Sequence, residues 1–173
     1  MTPPPNPAGE YIPEPDPMPQ RRAELIAQIE RLPADARAAV VGLSPTQLDT
    51  RYRNWTVRQI IHHLADSHLN AFIRFRLALT EDTPTIKPYD ESKWAELPDM
   101  KAADVDLSLR LLEGLHARWV LLLRAMTDAD FAREYHHPEY RKTYRLAEVL
   151  GMYAHHGRHH TGQIQWLRQS NGW

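Results

Sequence analysis

The chain has 173 residues, 42% of them hydrophobic and 25% charged, a composition that suits one globular domain and excludes a disordered or fibrous chain. Its formal net charge of −1 excludes the broad positive field on which non-specific nucleic-acid binding depends, so no nucleic-acid partner is expected. The absence of cysteine excludes disulfide scaffolds, thiolate zinc sites and cysteine nucleophiles, and any metal site must therefore use histidine nitrogens and carboxylate oxygens.

The N-terminal segment is rich in proline, with eight of the fourteen prolines before residue 20. Because proline fixes φ and removes a backbone donor, we predict that residues 1–19 form an extended arm and residues 20–173 a single domain. The arm either hangs free or lies over the domain, anchored by Tyr11 and Ile12. It has no basic start followed by an apolar stretch, and no apolar run is long enough to span a membrane, so a cytoplasmic location without membrane contact is expected.

Apolar residues at helical spacing predict helices from about Arg21 onward. The first is expected to stop at Pro33 and to be followed by a separate short helical stretch over residues 34–43, because proline disfavours helix before it and cannot donate within one. A capping-box pattern at Thr56 predicts the start of a long helix that reaches about Leu79.

A connection with three prolines covers residues 80–103, and its aromatic residues Tyr89 and Trp94 either wall a cleft or pack against the helices. Two further long helices are predicted, over about 105–126 and 146–169. Strand signals are weak along the whole chain, and no Asn-Gly or Asp-Gly turn occurs. The pattern therefore predicts an all-α fold, a four-helix bundle with a Pro-rich N-terminal arm.

Seven of the ten histidines fall in two segments, HHLADSH in the second long helix and HHGRHH in the last. His156 and His160 lie four residues apart on the apolar face that also carries Tyr153, a spacing at which two imidazoles can bind one ion. His155 and His159 point to the opposite side of the helix. The alternative is a pair of buried histidines satisfied by hydrogen bonds, and the spacing alone does not decide between the two.

A third ligand would come from the HHLADSH segment, where periodicity leaves His62, His63 and His68 open and slightly favours His68. Neither segment contains the glutamate of an HExxH motif, so a thermolysin-like protease is not expected. Three neutral imidazoles leave a bound ion with its full charge and an open coordination position. Such a site lowers the pKa of a bound water or of a bound thiol, and without cysteine the thiol must come from a cosubstrate.

The segment WTVRQIIHHLADSHLNAFIRFRLALTEDTPTIKPYDESKW, with GEYIPEP before it and YAHHGRHHTGQI after it, resembles the YfiT-type branch of the DinB-like superfamily. The resemblance spans residues 9–173 and implies a four-helix bundle that holds one divalent metal ion per subunit. Zinc or nickel is expected, although histidine nitrogens also accept cobalt and copper. By motif the resemblance makes His63, His156 and His160 the ligands, which overrules the slight preference for His68.

The resemblance also implies a homodimeric enzyme. The expected activity is that of a bacillithiol-type S-transferase, which joins a low-molecular-weight thiol to a small electrophile such as fosfomycin in detoxification. A metal-dependent hydrolase that uses bound water and a non-catalytic metal-binding bundle are the alternatives. Where related sequences can carry further histidines beside the pair, this chain has Arg158 and Gln163, so a proton-transfer role at those positions has no support here.

Five other side chains have two interpretations each. His116 either packs in the bundle or supplies a fourth ligand, and Asp66 either holds a ligand imidazole or stays solvated. Arg58, Arg74 and Arg76 either bind an anionic cosubstrate or extend into solvent.

Overall fold

The computed structural model describes residues 2–173, and four long helices account for most of them. The elements in chain order are α1 (Pro19–Val40), α2 (Pro45–Leu48), β1 (Arg51–Tyr52), β2 (Trp55–Thr56), α3 (Val57–Thr80), α4 (Glu91–Trp94), α5 (Pro98–Ala102), α6 (Val105–Ala125), α7 (Asp128–Phe131), β3 (Glu134–His137), β4 (Lys142–Arg145) and α8 (Leu146–Asn171). Helices α1, α3, α6 and α8 pack together as the predicted four-helix bundle. None of the described helices combines the length and apolar character that crossing a bilayer requires.

The first helix is continuous through Pro33, so the predicted stop there and the separate stretch over 34–43 are wrong. Proline has no amide to donate to the carbonyl four residues earlier, which is that of Ile29. His116 Nδ1 lies 2.6 Å from this carbonyl oxygen and takes the place of the missing amide. Leu32 and Pro33 are buried against the bundle, and these tertiary contacts hold the helix together across the proline.

Two short antiparallel hairpins, β1–β2 and β3–β4, interrupt the helical fold where the sequence showed only weak strand signals. Their turns contain Arg53 at φ 54° and Arg141 at φ 49°, in the left-handed region that glycine and asparagine favour. Because arginine gives no turn signal, the sequence does not reveal these hairpins. The capping box at Thr56, by contrast, is confirmed: its side chain accepts from the Gln59 amide, and the Gln59 side chain accepts from the Thr56 amide.

The hydrophobic core has two parts, with a layer of histidines between them. One part uses residues 71–78 of α3 together with residues 146–154 of α8. The other uses residues 57–65 of α3 and the end of α8 from Ile164 to Leu167. His62 and His63 lie within the second part, and the stretches of α3 and α8 between the two parts carry the other five histidines of the two segments, so the candidate site lies in the middle of the bundle.

The arm lies over the domain alongside α8. The hydroxyl of Tyr11 donates to the carbonyl of Glu148 at 3.3 Å, and Nε2 of His155 donates to the carbonyl of Gly9 at 3.0 Å. Tyr11 therefore anchors the arm, whereas Ile12 is 78% exposed and does not.

Gly157 allows α1 and α8 to approach each other closely. A Cβ built at Gly157 would lie 2.6 Å from Cδ2 of Leu32, which is itself buried. Overpacking in Gly157→Ala should cost about 1–3 kcal/mol and the gain in helix propensity should return about 1 kcal/mol, so we expect a net loss of up to about 2 kcal/mol in the free energy of unfolding. Thermal unfolding of the chelated protein measures this without a contribution from metal. Gly114→Ala is the control, because a Cβ at Gly114 meets nothing within 4 Å, and an equal Tm for both variants would contradict the expectation.

Candidate metal centre

Three imidazoles from two helices meet in the histidine layer. His63 comes from α3, and His156 and His160 come from α8. One ring nitrogen of each lies within 4.8 Å of the other two, and Nε2 of His63 is 3.2 Å from Nε2 of His156. The structure thus brings together the three residues that the resemblance selects. Their role as ligands stays a prediction.

The three rings are uncharged at neutral pH. Burial lowers the pKa of His63 to about 4. Burial and the neighbouring imidazoles lower the pKa values of His156 and His160 well below the usual range. Because a metal ion binds only unprotonated imidazole nitrogen, this donor set fits a divalent ion without competition from protons near pH 7.

A chain of hydrogen bonds determines which nitrogen of His156 faces the site. The Ile29 carbonyl can only accept, so His116 donates to it through Nδ1. Nε2 of His116 then accepts from Nδ1 of His68 at 3.1 Å, and Nε2 of His68 accepts from Nδ1 of His156 at 3.2 Å. His156 is left with the lone pair of Nε2, which points towards His63. We call His116, His68 and His156 the histidine relay.

The histidine relay depends on neutral rings, each with one donor and one acceptor nitrogen. Burial lowers the pKa of His116 to about 4 and that of His68 well below its usual range, so both rings meet this condition. The relay begins at a carbonyl that is free because Pro33 has no amide to offer it. His68 and His116 lie behind His156 and outside the group of converging nitrogens. Sequence periodicity could place His68 on a buried face but could not reveal this supporting role.

Gln163 orients His160 in a similar way. Its Oε1 accepts from Nδ1 of His160 at 2.9 Å, and its Nε2 donates to Nε2 of His159 at 2.9 Å. Nε2 of His160 is therefore left for the site. In the sequence, Gln163 is notable only because related sequences can carry a histidine there. In the structure, its side chain orients the candidate ligand His160.

The three candidate ligands line a cavity of about 440 Å³, a volume suited to a small organic molecule. Trp55 covers one side, with its ring 4.4 Å from that of His63. Tyr89, from the long connection, also lines the cavity, and Trp94 packs on Tyr89 at 4.5 Å between ring centroids. The connection therefore walls the cleft through Tyr89, with Trp94 supporting it. Arg74 is also part of the wall.

Known proteins resemble this chain over most of its length. The model of the DinB superfamily matches residues 28–164. YfiT of Bacillus subtilis (strain 168), provisionally named a metal-dependent hydrolase, is 47% identical over 169 residues, which cover 96% of this chain and 95% of YfiT. The chain belongs to the DinB superfamily. A Bacillus mycoides (strain KBAB4) relative with the same provisional name is 53% identical to this DinB-superfamily chain over 150 residues, 86% of each.

Solved structures confirm the fold of this DinB-superfamily protein. YfiT from Bacillus subtilis, described as having an unusual four-helix bundle topology, superposes with a TM-score of 0.94 and 46% identity over 97% of both chains. The mycothiol-dependent maleylpyruvate isomerase matches with a TM-score of 0.66 and 17% identity, over 83% of this chain and 60% of its own. At this level of sequence identity, the similarity to the isomerase shows only a shared fold. The predicted family and the predicted four-helix bundle are both confirmed.

Several other candidate residues of this DinB-superfamily chain lie away from the three converging nitrogens. Asp66 is half-exposed, and within residues 2–173 its carboxylate makes no hydrogen bond to a candidate ligand. His155 faces the arm and not the site. Arg58 pairs with Asp49 at 2.8 Å, and Arg76 is exposed with its guanidinium over the ring of Phe72. Of the three arginines considered, Arg74 in the cavity wall is therefore the remaining candidate for binding an anion.

Proposed function

We propose that this protein transfers a low-molecular-weight thiol of the bacillithiol type to a small electrophile, using one divalent ion held by His63, His156 and His160. When bound, the ion supplies the positive charge that lowers the pKa of a thiol or a water beside it. Zinc or nickel is the ion we expect with nitrogen donors. The provisional hydrolase names of the relatives support a metal-dependent enzyme, and the reaction type is our own inference.

The observation that carries the proposal is the absence of a carboxylate beside the imidazoles. Within residues 2–173, the hydrogen-bond partners of the three rings are other histidines and Gln163. Hydrolysis requires a group that takes a proton from water and delivers it to the leaving group, as the glutamate of HExxH proteases does. A free thiol has a pKa of about 8.5, against about 15.7 for water, and so needs much less help to ionise. This site is therefore better suited to activating a thiol.

The cavity supplies the rest of what a transferase needs. Its aromatic wall, including Trp55 and Tyr153, can hold a small electrophile beside the histidines and keep bulk water away. The chain has no cysteine, so the thiol must enter as a cosubstrate. The structurally similar isomerase is mycothiol-dependent by name, which is in keeping with a thiol partner.

A thiol-consumption assay tests the proposal. Bacillithiol, cysteine and coenzyme A are each incubated with fosfomycin or monochlorobimane, and free thiol and S-conjugate are measured with the metal-loaded and the chelated enzyme. We expect metal-dependent loss of thiol matched by conjugate, and loss of this activity in His160→Ala. Cleavage of esters or amides with no metal-dependent loss of any thiol would contradict the proposal.

Hydrolysis is the second candidate because of His159. This half-buried ring lines the cavity next to His160, at 5.1 Å between ring centroids, and its Nε2 could accept a proton from water if the Gln163 amide that donates to it moves away. The same assay, extended to ester and amide substrates, separates the two candidates. A protein that binds metal tightly and turns over none of these substrates would instead be the non-catalytic bundle.

We also propose that residues 20–173 form one domain with residues 1–19 as its arm, and that the chain forms a homodimer in the cytoplasm. Light scattering during size-exclusion chromatography measures the mass in solution. A mass of one chain at micromolar concentration would contradict the homodimer.

A further inference from the structure

Arg74 is a buried charge without a counter-charge. The residue is 8% exposed and lines the cavity, and it forms no ion pair within residues 2–173. Arg22 is equally buried, but its guanidinium binds the carboxylate of Asp128 and the carbonyl of Pro17. Because an isolated buried charge is costly, the open position beside Arg74 is suited to an anion from outside.

The two buried phenols beside Arg74, those of Tyr135 and Tyr153, are neutral. Burial raises the pKa values of Tyr135 and Tyr153, and the positive charge of Arg74 only partly opposes this rise. Both phenols therefore keep their protons at neutral pH. Their hydroxyl groups can hydrogen-bond with the guanidinium or a ligand, but they cannot neutralise the charge.

His137 also lines this cavity, and one of its ring nitrogens is unsatisfied. It is 5% exposed, and its Nδ1 has no hydrogen-bond partner within residues 2–173. Its ring stacks on Tyr140 with 4.4 Å between centroids. Burial and then the charge of Arg74 lower the pKa of His137, so the ring is neutral and has one N–H to donate. Arg74 thus lacks a counter-charge and Nδ1 of His137 lacks a partner, and the neutral ring can donate from Nδ1 in one of its two tautomers.

The cavity connects these groups to the three histidines. Arg74 follows His63 by eleven residues on α3, which is about three helical turns, so both side chains point in nearly the same direction. The two Cα atoms are about 16 Å apart along the helix axis, and the guanidinium lies nearer because helical side chains lean towards the N-terminus. One small molecule can therefore reach from the histidines towards Arg74.

We propose that Arg74 and His137 bind a carboxylate of the molecule whose other end reacts at the three histidines. The inference rests on the proposed function for the position of the reacting end. The planar guanidinium fork matches a carboxylate, and its single positive charge balances a single negative one. The exposed carboxylates of Glu91 and Glu139 also line the cavity and would repel a phosphate dianion more strongly than a carboxylate.

Binding, rather than turnover, tests the inference. 6-Mercaptohexanoic acid and its methyl ester, whose chains are long enough to extend from the histidines towards Arg74, are titrated into the full-length, metal-loaded protein by calorimetry. The two probes share the thiol and differ in the carboxylate. We expect Arg74→Gln to weaken binding of the acid by at least about tenfold and to leave the ester unchanged. Arg76→Gln is the matched control on the same helix and should bind both probes as the wild type does.

Two further measurements make the test robust. His137→Phe keeps the stacking on Tyr140 but removes Nδ1, and should weaken binding of the acid roughly threefold to tenfold. In the unmodified protein, the Nε–H resonance of Arg74 should shift when the acid is added and stay in place when the ester is added. This NMR result does not depend on the folding of any variant.

The outcomes separate the inference from the proposed function. Succinate and dimethyl succinate form a second probe pair, which has no thiol. If Arg74 favours the acid over the ester in this pair but not in the thiol pair, the carboxylate belongs to the electrophile and not to the thiol cosubstrate. Equal binding of acid and ester in both pairs, or tighter binding of inorganic phosphate, would overturn the inference. Thiol consumption without Arg74-dependent binding would support the proposed function and overturn the carboxylate site. Arg74-dependent binding without thiol consumption would support the carboxylate site and overturn the proposed function.

Discussion

Protein purified as His63→Ala, His156→Ala or His160→Ala should contain no stoichiometric metal, whereas His155→Ala should retain one ion per chain. Each of the first three changes removes one of the three converging nitrogens. The loss in affinity should exceed the roughly 10- to 100-fold that follows from removing an outer hydrogen-bond partner of a ligand. Elemental analysis of the four variants, purified side by side, measures the metal directly.

His155→Ala is a close control because it removes an imidazole directly next to His156 in the chain. The His155 ring is also partly buried, but it hydrogen-bonds to the carbonyl of Gly9 in the arm. One ion per chain in all four variants would show that the three histidines are not the ligand set. Loss of the ion from His155→Ala, with the circular dichroism spectrum unchanged, would place the ion elsewhere on α8.

The helices and the α8 ligand pair can be predicted from the sequence because both depend on local spacing. Apolar residues at helical intervals define α3 and α8, and His156 and His160 share a face simply because they are four residues apart. The capping box at Thr56 is local in the same sense. Such features need no knowledge of what packs against the helix.

The third candidate ligand depends on how two helices are placed, and the periodicity of one helix cannot supply that. His63 and His68 are both buried on α3, but only His63 lies with the group on α8. Pro33 shows the same limit, since a local rule predicts a stop and tertiary contacts override it. Arg74 is a third case: on a helix its charge suggests exposure, and only the assembled cavity reveals that it is buried.

His68→Leu should weaken metal binding by about 10- to 100-fold without removing any candidate ligand. Leucine cannot accept from Nδ1 of His156, so the tautomer that leaves the Nε2 lone pair free is no longer enforced. It also leaves Nε2 of His116 without a donor. Competition with a chromophoric chelator gives the affinity for zinc and for nickel, and thermal unfolding of the chelated protein reports the accompanying loss of stability.

His68→Gln is the variant that separates hydrogen bonding from packing. The amide oxygen of glutamine can accept from Nδ1 of His156 while the amide nitrogen donates to Nε2 of His116, so both bonds of the histidine relay are replaced. We therefore expect His68→Gln to bind metal within about fivefold of the wild type, which is less than the roughly 10- to 100-fold weakening expected when such a partner is lost. Equal weakening in the leucine and glutamine variants would assign the effect to packing, and wild-type affinity in both would mean that the tautomer of His156 is set without His68.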